Sequence, residues 1–539
     1  MTVAQRPTEP DDVVEQRGRP TRERPPVLLA LPALLVALLA LTPVGYLFLR
    51  GGASFGRLLH ELDSPSTGTL VLHTLLLTVS VTLACVVLGV ALAVLVARTD
   101  LPARRLWTVL FALPLGIPAF ITSYTWVAAG YQFLPRSTFI YGLRGAVIVL
   151  SLAVYPYVYL PVVAALHGLD PAQEETARAL GSGPLAAFAR VTLPQLRTAI
   201  AGGALLIALH MLAEFGALQL LRYQTLTTAI VQRVTVLSAP EAARTLSLVL
   251  AAGSLALLAG DRLLRGRPAP VRLGGGAARA PAPWRLGAAK PLWVLVCIGF
   301  LALALGVPLF AMLTGLARAL TQPGAIDWAE LGAASASTAR YALATAMVAT
   351  IAALPVSLLA VRHPGWLATL TERSTWIAHS LPGVVVALAL VYLAARWLFP
   401  LYQTSALLVA GYVVLFLPIA VGAQQVGLVQ AAPRYDQVAR SLGLGPLATF
   451  FRVTLPLALP GIAAGAMLVL LNAGKELTMT LLLHPTGTHT LATALWATTN
   501  GEVLDFSAAA PYAVALVVIT AIPAYLLIRH TLQPQRGSV

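Results

Sequence analysis

Charge is scarce in this 539-residue sequence: Asp, Glu, Lys and Arg together make up 11%, against 58% hydrophobic residues, and the mean hydropathy is +0.81. A soluble domain usually has about a quarter of its residues charged, so a soluble globular fold is excluded. Cysteine is nearly absent too. Cys85 and Cys297 each lie inside an apolar run and neither belongs to a CxxC, which excludes a disulfide framework and a thiolate metal site. Acidic residues number 21 against 36 Lys and Arg, a formal net charge of +15. The basic residues sit in short gaps between apolar runs, as the positive-inside bias places them, rather than on one contiguous face interleaved with aromatics. No nucleic-acid partner is expected; the expected surroundings are membrane lipid.

Several apolar runs exceed the roughly 20 residues that cross a bilayer. Twelve spans are expected, near 27–49, 69–97, 106–130, 144–167, 195–219 and 243–263, then 291–317, 336–361, 375–398, 404–427, 457–480 and 507–529. The run from Val27 is too long for a signal-peptide core and is expected to be a retained anchor. Arg17, Arg19, Arg22 and Arg24 precede it, so the N-terminus is expected in the cytoplasm, and the C-terminus with it. The stretch 261–290 is rich in Gly, Ala, Pro and Arg and reads as a flexible connection. The expected organisation is a tail (1–26), a first module (27–264, core 69–264), a linker (265–290), a second module (291–530, core 336–530) and a tail (531–539). The fold class is all-α and polytopic, two parallel six-helix repeats about an axis along the membrane normal.

The repeat is written in the residues. From Ala177 to Pro194, fourteen of eighteen positions match Ala439 to Pro456, an offset of 262. Glu214 and Glu476 keep that offset, "TLTTAI" (225–230) answers "TLATAL" (490–495), and the halves align again near Thr74 and Thr338. The duplicated segment is more polar than a span. In the first copy Asp170 and Pro171 form a helix start, and Glu174 and Glu175 sit in the first turn, where the helix dipole favours acids. Ala177 and Ala179 keep the helix slim, and Gly181 can take the left-handed conformation that ends it. A short helix of this kind buries little surface alone and is suited to another protein's groove.

The pattern Glu-x-Ala, three residues, Gly, nine residues, a β-branched residue, x, Leu-Pro resembles the EAA loop of permease subunits from binding-protein-dependent ABC importers. Glu175, Ala177, Gly181, Val191, Leu193 and Pro194 fit it in the first copy. Ala439, Gly443, Val453, Leu455 and Pro456 fit in the second, with Gln437 where the family prefers Glu and Asp436 beside it as a substitute. The resemblance implies that each loop docks on one of two copies of a separate ABC ATPase subunit, which binds the ATP. It also implies an extracytoplasmic substrate-binding protein and a place in the bacterial inner membrane. No cofactor is expected in this chain and no catalytic residue, since the resemblance implies a permease subunit and not an enzyme. "NAGKEL" (472–477) is no phosphate loop, because Glu476 stands where Ser or Thr would follow the lysine.

Glu214 and Glu476 lie in or at the ends of apolar runs, where charge costs about 2.5–3.5 kcal/mol on insertion scales. Their recurrence favours a role in the translocation path or its gate; the alternative is that they cap helix ends, with Lys475 pairing locally. His484 and His489 are read as loop residues for want of a third metal ligand, and Tyr124, Trp126 and Tyr131 as belt or packing aromatics. Pro114 and Pro118, and Pro382 with Gly383, predict breaks in the third and ninth spans. The segments 213–230 and 474–496, with the two-module layout, resemble the iron(III) permeases most, and thiamine and polyamine permeases share much of the pattern. A secondary transporter driven by an ion gradient, also built from six-span halves, is the alternative of a different class.

Overall fold

The computed structural model describes residues 25–52, 64–133, 135–170, 172–264, 283–499 and 506–532. The tails 1–24 and 533–539, Pro171 and the linker stretch 265–282 lie outside them. Among the described residues there is no strand, and the one isolated β-bridge joins Thr99 to Trp284. Apolar runs in hydrocarbon must satisfy every backbone group internally, and helices do so within a single segment. Among the described residues nine helices are long and apolar enough to cross a membrane, or twelve if three bent pairs each count as one span.

The bends fall at the expected prolines. Arg104–Gly116 meets Ala119–Phe133 at 92°, and Trp366–Ser380 meets Gly383–Trp397 at 103°. Proline removes a backbone donor, and the freed carbonyls are tolerated at depth where protein surrounds them. The fifth and eleventh spans differ from expectation. Their helices, Arg197–Ala213 and Leu455–Gly474, stop at Glu214 and Lys475, and the chain restarts as the short helices Gly216–Leu220 and Thr478–Leu483. Apolarity continues through these breaks, which is why hydropathy overruns them.

The first helix of each module packs on the other module. Tyr46 of Val27–Gly52 lies 6.5 Å from Tyr392 and 6.1 Å from Trp397, both in the second module. Phe300 of Lys290–Leu301 stands edge-on to Phe111 at 5.9 Å and to Tyr155 at 5.1 Å in the first. The duplication also shows in single bonds. The Thr74 hydroxyl accepts from the Leu226 N–H at 3.0 Å, and that of Thr338 from Leu491 at 2.8 Å. Helices close tightly where side chains vanish: a Cβ on Gly461 would come 2.6 Å from the Cα of Gly427.

The expected linker 265–290 is not wholly free of the modules. Its end, 283–290, is tied to the first module: Trp284 N–H donates to the Arg98 carbonyl at 2.7 Å, and Asp100 N–H to the Trp284 carbonyl at 3.1 Å. The Asp100 carboxylate accepts from the Leu286 N–H at 2.8 Å and pairs with Lys290 at 2.8 Å. The Leu286 bond first, and Lys290 second, hold this carboxyl below its ordinary pKa. Composition, rich in Gly and Ala, registers none of these contacts.

Candidate functional site

The two repeated loops form matching helices, Ala172–Ala179 and Pro433–Ser441. Asp170 caps the first, its carboxylate accepting from the Ala172 N–H at 3.0 Å. Gly181 and Gly443 end them at φ of +89° and +87°. The Ser182 N–H returns to the Ala177 carbonyl at 3.1 Å and the Gly181 N–H to Arg178 at 3.0 Å; Leu444 to Ala439 and Gly443 to Arg440 repeat both distances. This Schellman closure needs a left-handed residue, hence the glycines. A π-helical turn follows in each copy, Phe188–Thr192 and Phe450–Thr454, and delivers the chain to Leu193–Pro194 and Leu455–Pro456, which open the next helices.

Each loop helix is clamped to the end of a long span. Glu174 is buried, accepts from the Thr192 hydroxyl at 2.6 Å and lies 3.2 Å from Arg98, the last residue of Pro65–Arg98. Asp436 accepts from the Thr454 hydroxyl at 2.7 Å and lies 3.2 Å from Arg362, the last residue of Trp328–Arg362. Arg362 also donates to the Ala431 carbonyl at 2.5 Å. A charge-assisted bond to an arginine fixes orientation as well as distance.

The loop residues predicted from the motif divide between two faces. Glu175 and Gln437 are exposed, Ala177 is half-buried and Ala439 is buried. Asp436 therefore does not stand in for Glu175; its counterpart is Glu174, and Gln437 is the counterpart of Glu175. Sequence reasoning placed Glu174 in a helix-dipole role and left Arg98 and Arg362 unnamed among the basic residues of the short gaps, so the clamp was missed. The signal was present: an acid at offset 262 and an arginine at the end of the second span of each half. Leu180 and Leu442 were also missed. They occupy equivalent positions at the helix ends and are 83% and 78% exposed, so each loop presents a bare apolar side chain beside its helix.

Glu214 and Glu476 lie elsewhere, at the seam between the modules. The Glu214 carboxylate accepts from the Ala217 N–H at 3.0 Å and lies 3.5 Å from His210; that of Glu476 accepts from the Met479 N–H at 2.9 Å. Each thus caps the short helix that follows it. The segments meet across the seam, with Phe215 and Trp496 rings 5.1 Å apart and Leu477 packed against Gly216. Glu476 also faces the break in the ninth span, where a Cβ on Gly383 would sit 3.4 Å from its carboxylate. Lys475, half-buried, stands within electrostatic range of His210 and Glu476. Tyr124 is a packing residue, its hydroxyl donating to the Phe506 carbonyl at 2.6 Å across the modules. Among the described residues no three His, Cys, Asp or Glu side chains gather as metal ligands.

Comparison with known proteins follows the same division. The family profile of the binding-protein-dependent transport system inner membrane component matches twice, at residues 86–265 and 347–534. An Fe(3+)-transport system permease protein of Haemophilus influenzae is 35% identical over 512 residues, 94% of this chain and 99% of that one. A putative 2-aminoethylphosphonate transport system permease protein of Salmonella choleraesuis is 28% identical over 213 residues, 36% of this chain and 74% of its own. A molybdenum transport system permease protein of Escherichia coli is 31% identical over 138 residues, 24% of this chain and 60% of its own. The chain belongs to the family of inner-membrane permease components of binding-protein-dependent transport systems, and it carries the family's domain twice.

Proposed function

We propose that this chain is the complete translocation path of an iron(III) importer, worked by two copies of a separate ATP-hydrolysing subunit seated on the loop helices. The observation that carries the iron assignment is the likeness to the Haemophilus influenzae Fe(3+) permease, which runs through both modules and nearly the whole of each chain. The likeness to phosphonate and molybdenum permeases covers about a third of this chain or less. Thiamine and polyamine are the alternatives that the sequence pattern leaves open. Membership of the family sets aside the gradient-driven secondary transporter.

The coupling assignment rests on the paired loop helices, each clamped to a span and each presenting an exposed leucine and an exposed polar residue, Glu175 or Gln437. The loop side is then the cytoplasmic side, with both termini on it, and an extracytoplasmic binding protein delivers the ion to the opposite face. ATP is held by the partner subunits, and this chain supplies no cofactor site. Glu214 and Glu476 lie on the path: paired across the seam, they combine helix capping with negative charge where a cation would pass.

The test is uptake by proteoliposomes holding this chain, its ATPase and its binding protein. ATP-dependent iron(III) accumulation, insensitive to an uncoupler and uncompeted by thiamine, polyamine, sulfate or molybdate, is the expected result. Saturable uptake of one of those competitors with no iron transport overturns the substrate; uptake without the ATPase overturns the coupling.

A further inference from the structure

A groove of about 820 Å³ opens on the outer face of the first module, beside the first loop. Val86, Val90 and Val94 of Pro65–Arg98 form one wall, Phe188 and Trp284 close the loop end, and Arg197 stands at that mouth. From Val86 to Val94 the helix rises about 12 Å, at 1.5 Å per residue. One leaflet of a bilayer's hydrocarbon is about 15 Å deep, half of ~30 Å. Val94 lies one turn from Arg98, where the helix ends and the polar strap 283–290 begins. The groove is thus apolar through one leaflet's depth and cationic at its headgroup level.

Its headgroup end is built. Trp284 is held by two backbone hydrogen bonds to Arg98 and Asp100 and stands edge-on to Phe188 at 5.5 Å. Tryptophan is favoured at the membrane interface, where one side of the ring is apolar and the other wet. Asp100, the acid on this strap contact, is occupied by the Leu286 N–H and Lys290 and does not oppose a negative ligand. Arg197 is exposed beside the groove. The second module cannot hold a strap in the same way, because the position equivalent to Asp100 is Pro364, which has neither the N–H nor the carboxylate.

We propose that this groove is a site for one anionic glycerophospholipid of the loop-side leaflet, its phosphate on Arg197 and its acyl chains along the valine wall. The occupant touches Phe188 and Leu193 of the first loop and none of the second, so it bears on one loop helix alone. Naming that leaflet cytoplasmic rests on the functional reading above; the site itself does not.

The test uses the full chain with its ATPase, exchanged into nanodiscs of phosphatidylcholine containing a minor fraction of phosphatidylglycerol, with retained lipid counted by native mass spectrometry. The expected result is one phosphatidylglycerol held in preference to phosphatidylcholine by about fivefold, the weight of one basic side chain beside an anionic headgroup. Arg197→Gln removes the preference. Ala91→Phe, which fills the groove from an exposed position, removes the lipid, whereas Leu75→Phe, exposed nearer the other end of the same helix, leaves it. Equal retention of the two lipids by the wild-type chain, or a preference that survives both Arg197→Gln and Ala91→Phe, overturns the site. Displacement by water-soluble glycerol phosphate overturns the lipid assignment, since the acyl chains would then contribute nothing. Iron transport is not read, so failure here is separate from failure of the functional proposal.

Discussion

Glu174→Ala removes one partner from a clamp whose other member, the Arg98 side chain, is 4% exposed and bonded to the loop through Glu174. Breaking a buried ion pair from one side costs about 3–5 kcal/mol, because the surviving charge stays desolvated. The cost falls locally, on the attachment of Ala172–Ala179 to the end of Pro65–Arg98, so opening of the loop helix becomes easier by that amount. Amide exchange at Thr176 to Leu180 then accelerates at least about a hundredfold. In the second loop the Arg362 and Asp436 side chains are 13% and 17% exposed, and water recovers part of the loss, so Asp436→Ala has the smaller effect. The double variant Arg98→Met with Glu174→Leu replaces the pair by apolar volume and restores protection, since such exchanges are neutral or stabilising by about 1–4 kcal/mol. Hydrogen exchange on the reconstituted complex reads all four chains, and the ratio of iron imported to ATP hydrolysed reads the consequence. That ratio falls in Glu174→Ala and recovers in the double variant. Unchanged exchange in Glu174→Ala, or a larger effect from Asp436→Ala, refutes the clamp as the loop's anchor.

Gly181→Val and Gly443→Val each place a β-branched residue at a φ near +90° with open space around it, so the penalty is backbone strain of about 1–3 kcal/mol. Both variants insert normally and co-purify with less ATPase; undiminished co-purification argues against docking through the helix end. Glu214→Gln and Glu476→Gln keep an oxygen for the Ala217 and Met479 N–H groups while removing the charge, whereas the alanine variants lose both. Iron uptake falls in all four; wild-type uptake in the glutamine pair leaves these residues a capping role only. Asp100 has its pKa lowered from 3.8, so its contribution to holding the strap is present above the unfolded value and is lost as pH falls through the lower folded value. At neutral pH Asp100→Ala removes the acceptor and releases the strap, read as faster exchange at Leu286, while lowering the wild-type protein from pH 7 to 5 leaves that amide protected.

The fold was legible because hydropathy, proline and repetition act locally. A run of 20 apolar residues has one solution in hydrocarbon, and Pro118 and Pro382 fall at the breaks in two such runs. The left-handed ends of the loop helices could be read for the same reason, since Gly181 and Gly443 declare a backbone conformation by lacking a side chain. What could not be read are the contacts between distant segments. Arg98 and Glu174 are separated by two further spans, and nothing local to either distinguishes a clamp from a positive-inside charge and a dipole-favoured acid. The strap was hidden differently. Its hydrogen bonds use the backbone of Arg98, Asp100 and Trp284, and a Gly- and Ala-rich composition reports nothing about backbone pairing.

The comparison of the two loops changes meaning once burial is known. In the sequence the asymmetry lies at Glu175 against Gln437, and it throws the equivalence of the two couplings into question. In the fold both side chains are exposed, while the residues that anchor the loops, Glu174 and Asp436, keep a carboxylate in each copy. The inner side of the two loops is therefore symmetric in kind, and the difference falls on the exposed face, where the proposed ATPase contact lies. Gln437→Glu adds a charge at an exposed position without touching the clamp, so it shifts affinity for the ATPase and leaves exchange in Pro433–Ser441 unchanged. An altered exchange pattern in that helix would show that the outer residue also takes part in anchoring, and the division between an inner clamp and an outer contact would fail.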